Sequence, residues 1–163
     1  MNIVNCADLP AEALASLLLP YHLDIHWVAK ESVIPGSFWG DSEAGLIDNK
    51  LYIQTITPVH SALHEACHYI CMDKTRRVQL NTNAGGDYDE ENAVCYLQLL
   101  LSNFLDGYNQ HQQFIDMDAW GYSFRLGSAK RWFMEDADDA KQWLIDKNLI
   151  NNQEIPLWQL RSQ

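Results

Sequence analysis

No stretch of this chain is apolar enough, for long enough, to span a bilayer, and no basic segment leads into an apolar one near Met1. A membrane-spanning or exported protein is therefore not expected, and the cytoplasm is the expected compartment. Cations are scarce: 11 Lys and Arg stand against 22 Asp and Glu, for a net charge of −11. A nucleic-acid surface needs the opposite balance, so nucleic acid is excluded as an expected partner. Only Cys6, Cys67, Cys71 and Cys95 carry thiols, too few and too irregular for a disulfide framework. Cys67 and Cys71 stand four apart, a helical spacing at which bridging distorts the backbone, so small buried filler is their expected role. Internal repeats and low-complexity linkers are absent as well.

What is present fits one globular domain, residues 1–163, with 47% hydrophobic and 20% charged residues. Asp8 to Leu19, capped by Asp8 and followed by Pro20, is expected to be a helix. Leu23 to Val28 alternates as a strand would. Pro35 to Gly45 is turn-rich and holds Phe38 and Trp39. Gly45-Leu46-Ile47 and Leu51-Tyr52-Ile53 read as two strands joined by a tight turn at Asp48-Asn49. If the second of these is an edge strand beside the functional site, it can add a peptide strand.

The informative motif is His64-Glu65-Ala66-Cys67-His68. Val59 to Met72 lacks Gly and Pro, Thr57 is a natural N-cap, and Pro58 suits the first helical position. Lys74, Arg76 and Arg77 near the end complement the helix dipole. Histidines four apart on a helix share one face, so both rings can reach one metal ion with Glu65 beside its water. His60 extends the ladder, but eight residues separate it from His68 by about 12 Å, too far to share an ion. It is expected at the surface or behind the ligands.

A site of this type needs a third protein ligand. After Gly85-Gly86, the segment Asp87-Tyr88-Asp89-Glu90-Glu91 opens a second helix, with Asp89 as the expected cap. Ala93, Val94, Leu97, Leu100, Leu101 and Phe104 give it an apolar stripe. Glu90 falls in the middle of that stripe, while Glu91 falls on the side shared with Gln98 and Ser102. Glu90 is therefore the expected third ligand and Glu91 the alternative. Helix, strands, motif helix and Glu helix in that order predict an α+β fold, a small antiparallel sheet packed on a helical bundle.

His64-Glu65-x-x-His68 followed by Glu90-x-x-Ala93 resembles the small gluzincin-type zinc peptidases. Val59 to Tyr69, with Lys74-x-Arg76-Arg77 downstream, is also similar to the elongation factor P hydroxylase family. Both resemblances cover about residues 45 to 105. The gluzincin pattern carries Asn or Asp four residues after the ligand Glu, where this chain has Val94. The first resemblance implies Zn2+, a peptide or protein substrate, and Glu65 as general base for the attacking water. The second implies Fe2+ on the same ligands and hydroxylation of a protein side chain. A non-catalytic, metal-stabilised binding module is a third reading, disfavoured because structural zinc is usually closed by four protein ligands.

Beyond the motif, Asp116 to Gly127 reads as an ordered loop or short strand. Ser128 caps a short helix through Glu135, and Asp136 or Asp138 begins another ending near Asn148. Asn151 to Gln163 reads as a surface-hugging tail. Tyr88, His111, Tyr122 and Arg125 are the candidates to stabilise a developing oxyanion.

Overall fold

The helix that carries the histidine motif buries eleven of its thirteen residues, Val59 to Cys71, so the rest of the chain is arranged around it. The computed structural model describes residues 3–37, 43–80 and 85–163. In chain order its elements are α1 (Ala13–Leu18), β1 (Asp24–Trp27), β2 (Gly45–Ile47), β3 (Lys50–Ile53), α2 (Val59–Cys71), α3 (Lys74–Val78), α4 (Tyr88–Ser102), α5 (Gln110–Trp120), α6 (Ala129–Glu135) and α7 (Asp138–Asp146). The class is α+β. Among the described residues, no helix is long and apolar enough to cross a membrane.

The sheet is mixed. β2 and β3 form the expected hairpin, with Leu46 opposite Leu51 and Asp48 supplying the positive φ of the turn. β1 pairs in parallel with β3, Ile25 beside Leu51, so the expectation of an antiparallel sheet is corrected. The strand order β1-β3-β2 places β3 in the centre. Both edges of Leu51–Ile53 are thus already paired, and this strand has none to offer a peptide. Phe38 and Trp39 lie outside the described residues.

At the start of α2 the Thr57 hydroxyl accepts from the Gln54 N–H at 2.8 Å, so Pro58, not Thr57, is the residue that precedes the helix. Its far end is closed largely by the Arg77 side chain. Arg77 donates to the carbonyls of Tyr69 (3.0 Å), Ile70 (3.4 Å) and Met72 (2.7 Å), satisfying acceptors that a helix end leaves over. α4 crosses α2 as its main packing partner, flanked by α5 and α7. Asp87 caps α4 by accepting from the Glu90 N–H at 2.9 Å, two residues before the expected cap at Asp89.

From Gly121 to Gly127 the expected loop is found, but Asp116 to Trp120 are the end of α5. The helix ends at Gly121, whose φ of 106° is left-handed and turns the chain back so that Tyr122 faces α2. The first helix is shorter than expected, starting at Ala13 after a 3-10 turn at Cys6–Asp8. α6 and α7 lie where Ser128 and Asp138 predict them.

One hydrophobic cluster runs from Cys6 to Ile150, with Leu63, Ile70, Leu97 and Leu101 fully buried in it. Replacing Leu97 with Ala empties side-chain volume on α4, which is held on several sides. The expected cost is about 2–5 kcal/mol, read as a lower urea midpoint with an unchanged slope.

Candidate metal centre

Because His64 and His68 are one helical turn apart on α2, their rings lie edge to face, with centroids 4.7 Å apart and Nε2 atoms 3.2 Å apart. The first turn of α4 brings Glu91 onto both. Its two carboxylate oxygens lie 3.1 Å from His64 Nε2 and 3.2 Å from His68 Nε2. These three residues are a group that could hold a metal ion. Around a tetrahedral ion with bonds near 2.0–2.1 Å, neighbouring donors stand about 3.3 Å apart, and the observed separations match that spacing. Two imidazoles and one carboxylate suit zinc or iron and leave further positions open. The donor set therefore fits the ions that both resemblances imply.

Gln98 fixes the protonation of His64. Its amide N–H donates to the His60 carbonyl at 2.9 Å, so its Oε1 faces His64 Nδ1 at 3.0 Å and must accept from it. His64 thereby keeps a proton on Nδ1, which leaves Nε2 as the atom that turns to a metal. Gln98 is fully buried, seven residues after Glu91 and on the same side of α4. His68 Nδ1 is buried and has no partner among the described residues.

Glu90, the expected ligand, does not reach the histidines. Its carboxylate is buried and takes Arg76 Nη2 at 2.5 Å and Arg161 Nη1 at 3.2 Å on one oxygen. The stripe argument placed Glu90 correctly in the interior, but two guanidiniums stand there, one from α3 and one from the tail. Gly86 lets the carboxylate in. A Cβ at Gly86 would lie 2.4 Å from Glu90 Oε2, and its φ of 103° suits glycine alone.

Of the oxyanion candidates, only Tyr122 arrives. Its ring stands edge-on to His64 at 5.7 Å, and its hydroxyl lies 3.2 Å from His60 Nδ1. Burial, followed by the Cys95 thiol close by, pushes the Tyr122 phenol up to about 12 against the opposing His64 charge, so it stays protonated. His60 is buried rather than on the surface, packed on Trp120 with centroids 4.9 Å apart. Burial first and His64 second lower its pKa to about 3, which keeps it neutral. Arg125 is exposed and pairs with Asp136, Tyr88 is 78% exposed, and His111 is exposed on the first turn of α5. Among the described residues, no hydrogen bond, ion pair or ring contact ties these three to the histidines. Tyr88 and Arg125 line a separate cleft of about 370 Å³ with Trp132 and Trp143.

The charges of the metal-free group are strongly coupled. Burial would raise the Glu91 carboxyl, but the bonds from His64 and His68 outweigh it and hold the group well below the usual carboxylate range. Burial likewise opposes charging of His64, and Tyr122, Cys95 and Glu91 together outweigh it, so its pKa is raised well above the ordinary value. Glu65 is raised, chiefly by burial, with the two histidines opposing. The cysteines are free and buried, and burial pushes the thiols of Cys67 and Cys71 up, which makes them inert filler.

No protein-family model, curated protein or solved structure matches this chain.

Glu91→Ala is expected to abolish metal binding in a titration calorimeter, while Glu90→Gln, if folded, retains a site. The raised pKa of His64 sets the pH dependence. In the metal-free protein Nε2 takes a proton more readily than in an ordinary imidazole, and the metal must displace it. Binding therefore releases protons, and affinity falls by up to about tenfold per pH unit and per proton on acidification. The same pair stabilises the metal-free fold in a window. Its Glu91 part is lost as pH falls below the ordinary carboxylate value of 4.5 toward the depressed pKa, and its His64 part as pH rises through the raised one. A pH series of proton release measured in two buffers of different ionisation enthalpy checks the first claim.

Proposed function

We propose that the protein is a metal-dependent hydrolase, a zinc peptidase that cleaves a peptide or protein substrate with Glu65 as general base. The observation that carries this reading is the convergence of His64, His68 and Glu91 on one point, with Glu65 on the same helix turn. Zinc bound there would act as a Lewis acid, making water a nucleophile near neutral pH and polarising the substrate carbonyl.

The chain's own groups supply the proton movements. Glu65, with its pKa lifted toward the working range by burial, takes a proton from the attacking water and returns it to the leaving amine. Gln98 keeps His64 in the tautomer that presents Nε2. The Tyr122 hydroxyl, protonated and steadied by His60, is the donor best placed to meet negative charge developing on the carbonyl oxygen. Four buried, unpaired cysteines fit a reducing compartment, and we assign the protein to the cytoplasm.

The same ligands suit Fe2+ and a protein hydroxylase. Two features rank that reading second. An oxygenase has no evident use for Glu65 as a base. Arg76 and Arg77, which carry part of the likeness to the elongation factor P hydroxylases, are both engaged within the fold, on Glu90 and on the end of α2.

Metal analysis of protein purified without added metal should find zinc at about one per chain. Glu65→Gln should then keep the zinc while cleavage of a fluorogenic peptide mixture falls by about 10²–10⁴-fold. Stoichiometric iron with oxygen consumption would select the hydroxylase instead.

A further inference from the structure

The metal group is assembled from two helices, so its geometry depends on how α4 is turned relative to α2. A carboxylate on α4 sits about 6 Å from the helix axis, and a rotation of about 10° therefore moves it by about 1 Å. Metal–ligand distances tolerate about 0.2 Å. Apolar burial is non-directional and sets that rotation less finely than a polar contact does. Something must fix the phase of the first turn of α4.

The neighbouring residue does so. Glu90 and Glu91 project about 100° apart around the same turn, so any rotation that withdraws Glu91 from the histidines also drags Glu90. One oxygen of Glu90 is held both by Arg76, itself braced by Asp73 at 2.7 Å, and by Arg161. Arg161 is in turn tied to the end of α2. Its N–H donates to Ile70 O at 3.0 Å and its Nη1 to Cys71 O at 3.2 Å, two and three residues beyond His68. Its own carbonyl accepts from Arg77 Nη2 at 3.1 Å, and its guanidinium lies over the Trp143 ring at 5.3 Å. One side chain thus spans from the helix that bears His68 to the residue adjoining Glu91.

We propose that Arg161 is a positioning residue for the metal. Acting through Glu90, it locks the rotation of α4 against the end of α2 and so presents Glu91 to His64 and His68. The proposal rests on the metal site assigned above and goes beyond it by giving the tail a part in that site.

Three proteins test it: wild type, Arg161→Met and Leu18→Ala. Leu18 is fully buried on α1 and has no part in the site, so its truncation supplies a loss of stability without the lock. Two readouts are taken, the Zn2+ dissociation constant by competition with a chromogenic chelator and the amide exchange of residues 88–92 in metal-free protein. Arg161→Met is expected to weaken zinc about 10–100-fold and to speed exchange at 88–92, with Leu18→Ala close to wild type in both. A folded Arg161→Met protein with wild-type affinity overturns the proposal, as does equal weakening in Leu18→Ala. If wild type itself binds no zinc, the metal reading falls, and the exchange rates alone then decide: unchanged protection at 88–92 in Arg161→Met overturns the lock as well.

Discussion

A site shared between two helices is only as well defined as the contact between them, and in this protein that contact is α2 against α4. α2 contributes both histidines and Glu65, α4 contributes Glu91 and Gln98, and neither helix carries a complete ligand set. Apolar packing brings the two together through residues such as Leu63, Ala93 and Leu97, all fully buried. That burial is non-directional, so polar groups must set the finer alignment. Gln98 spans the interface near its middle by bonding both the His60 carbonyl and the His64 ring. Glu90 with its two arginines does the same at the end. The sheet lies behind α2, with the β2–β3 hairpin packed on it, and α5 delivers Tyr122 to the histidines by its glycine-turned C-terminus.

Buried polar groups are costly unless partnered, and among the described residues four of the ten buried polar side chains, His60, His68, Glu90 and Gln98, lie at this contact. The chain has eleven cationic residues against twenty-two acids, and Arg76, Arg77 and Arg161 gather at the shared ends of α2, α3 and the tail. Arg77 closes the carbonyls of α2, while the other two neutralise Glu90 beside the acidic first turn of α4. The scarcity of cations makes the concentration of three at one place informative about where the fold needs them.

The parts of the structure legible in the sequence are those encoded by local rules. The helix of His64 and His68 follows from an unbroken apolar pattern, and the β2–β3 hairpin from its Asp48-Asn49 turn. Glu90 shows where such rules stop. A helical wheel told correctly that it is buried, but the groups it meets, Arg76 and Arg161, lie 14 and 71 residues away along the chain. The better signal for the carboxylate that meets the histidines was present in Gln98, the one polar side chain within the apolar run Ala93 to Leu101, on the same side as Glu91. α5 was hidden for a different reason. Its buried face is half polar, with Gln113 and Asp116 beside Phe114 and Met117, so no apolar stripe marks it. Asp116 is at home there because Tyr108 Oη and Gln112 Nε2 each donate to it at 2.8 Å. The parallel pairing of β1 with β3 joins segments some twenty-five residues apart, a pairing that alternation within one strand does not reveal.

The distance along the chain between Glu91 and Arg161 also bears on how the protein comes off the ribosome. His64, His68 and Glu91 emerge first, and the arginine that bridges their two helices follows 70 residues after Glu91. At ordinary synthesis rates of about 5–20 residues per second, that interval lasts about 4–14 s. During it the nascent chain holds every candidate ligand but not the contact that ties α4 to the end of α2. The cluster of His64, His68 and Glu91 would thus reach its final alignment only once Arg161 has followed them out.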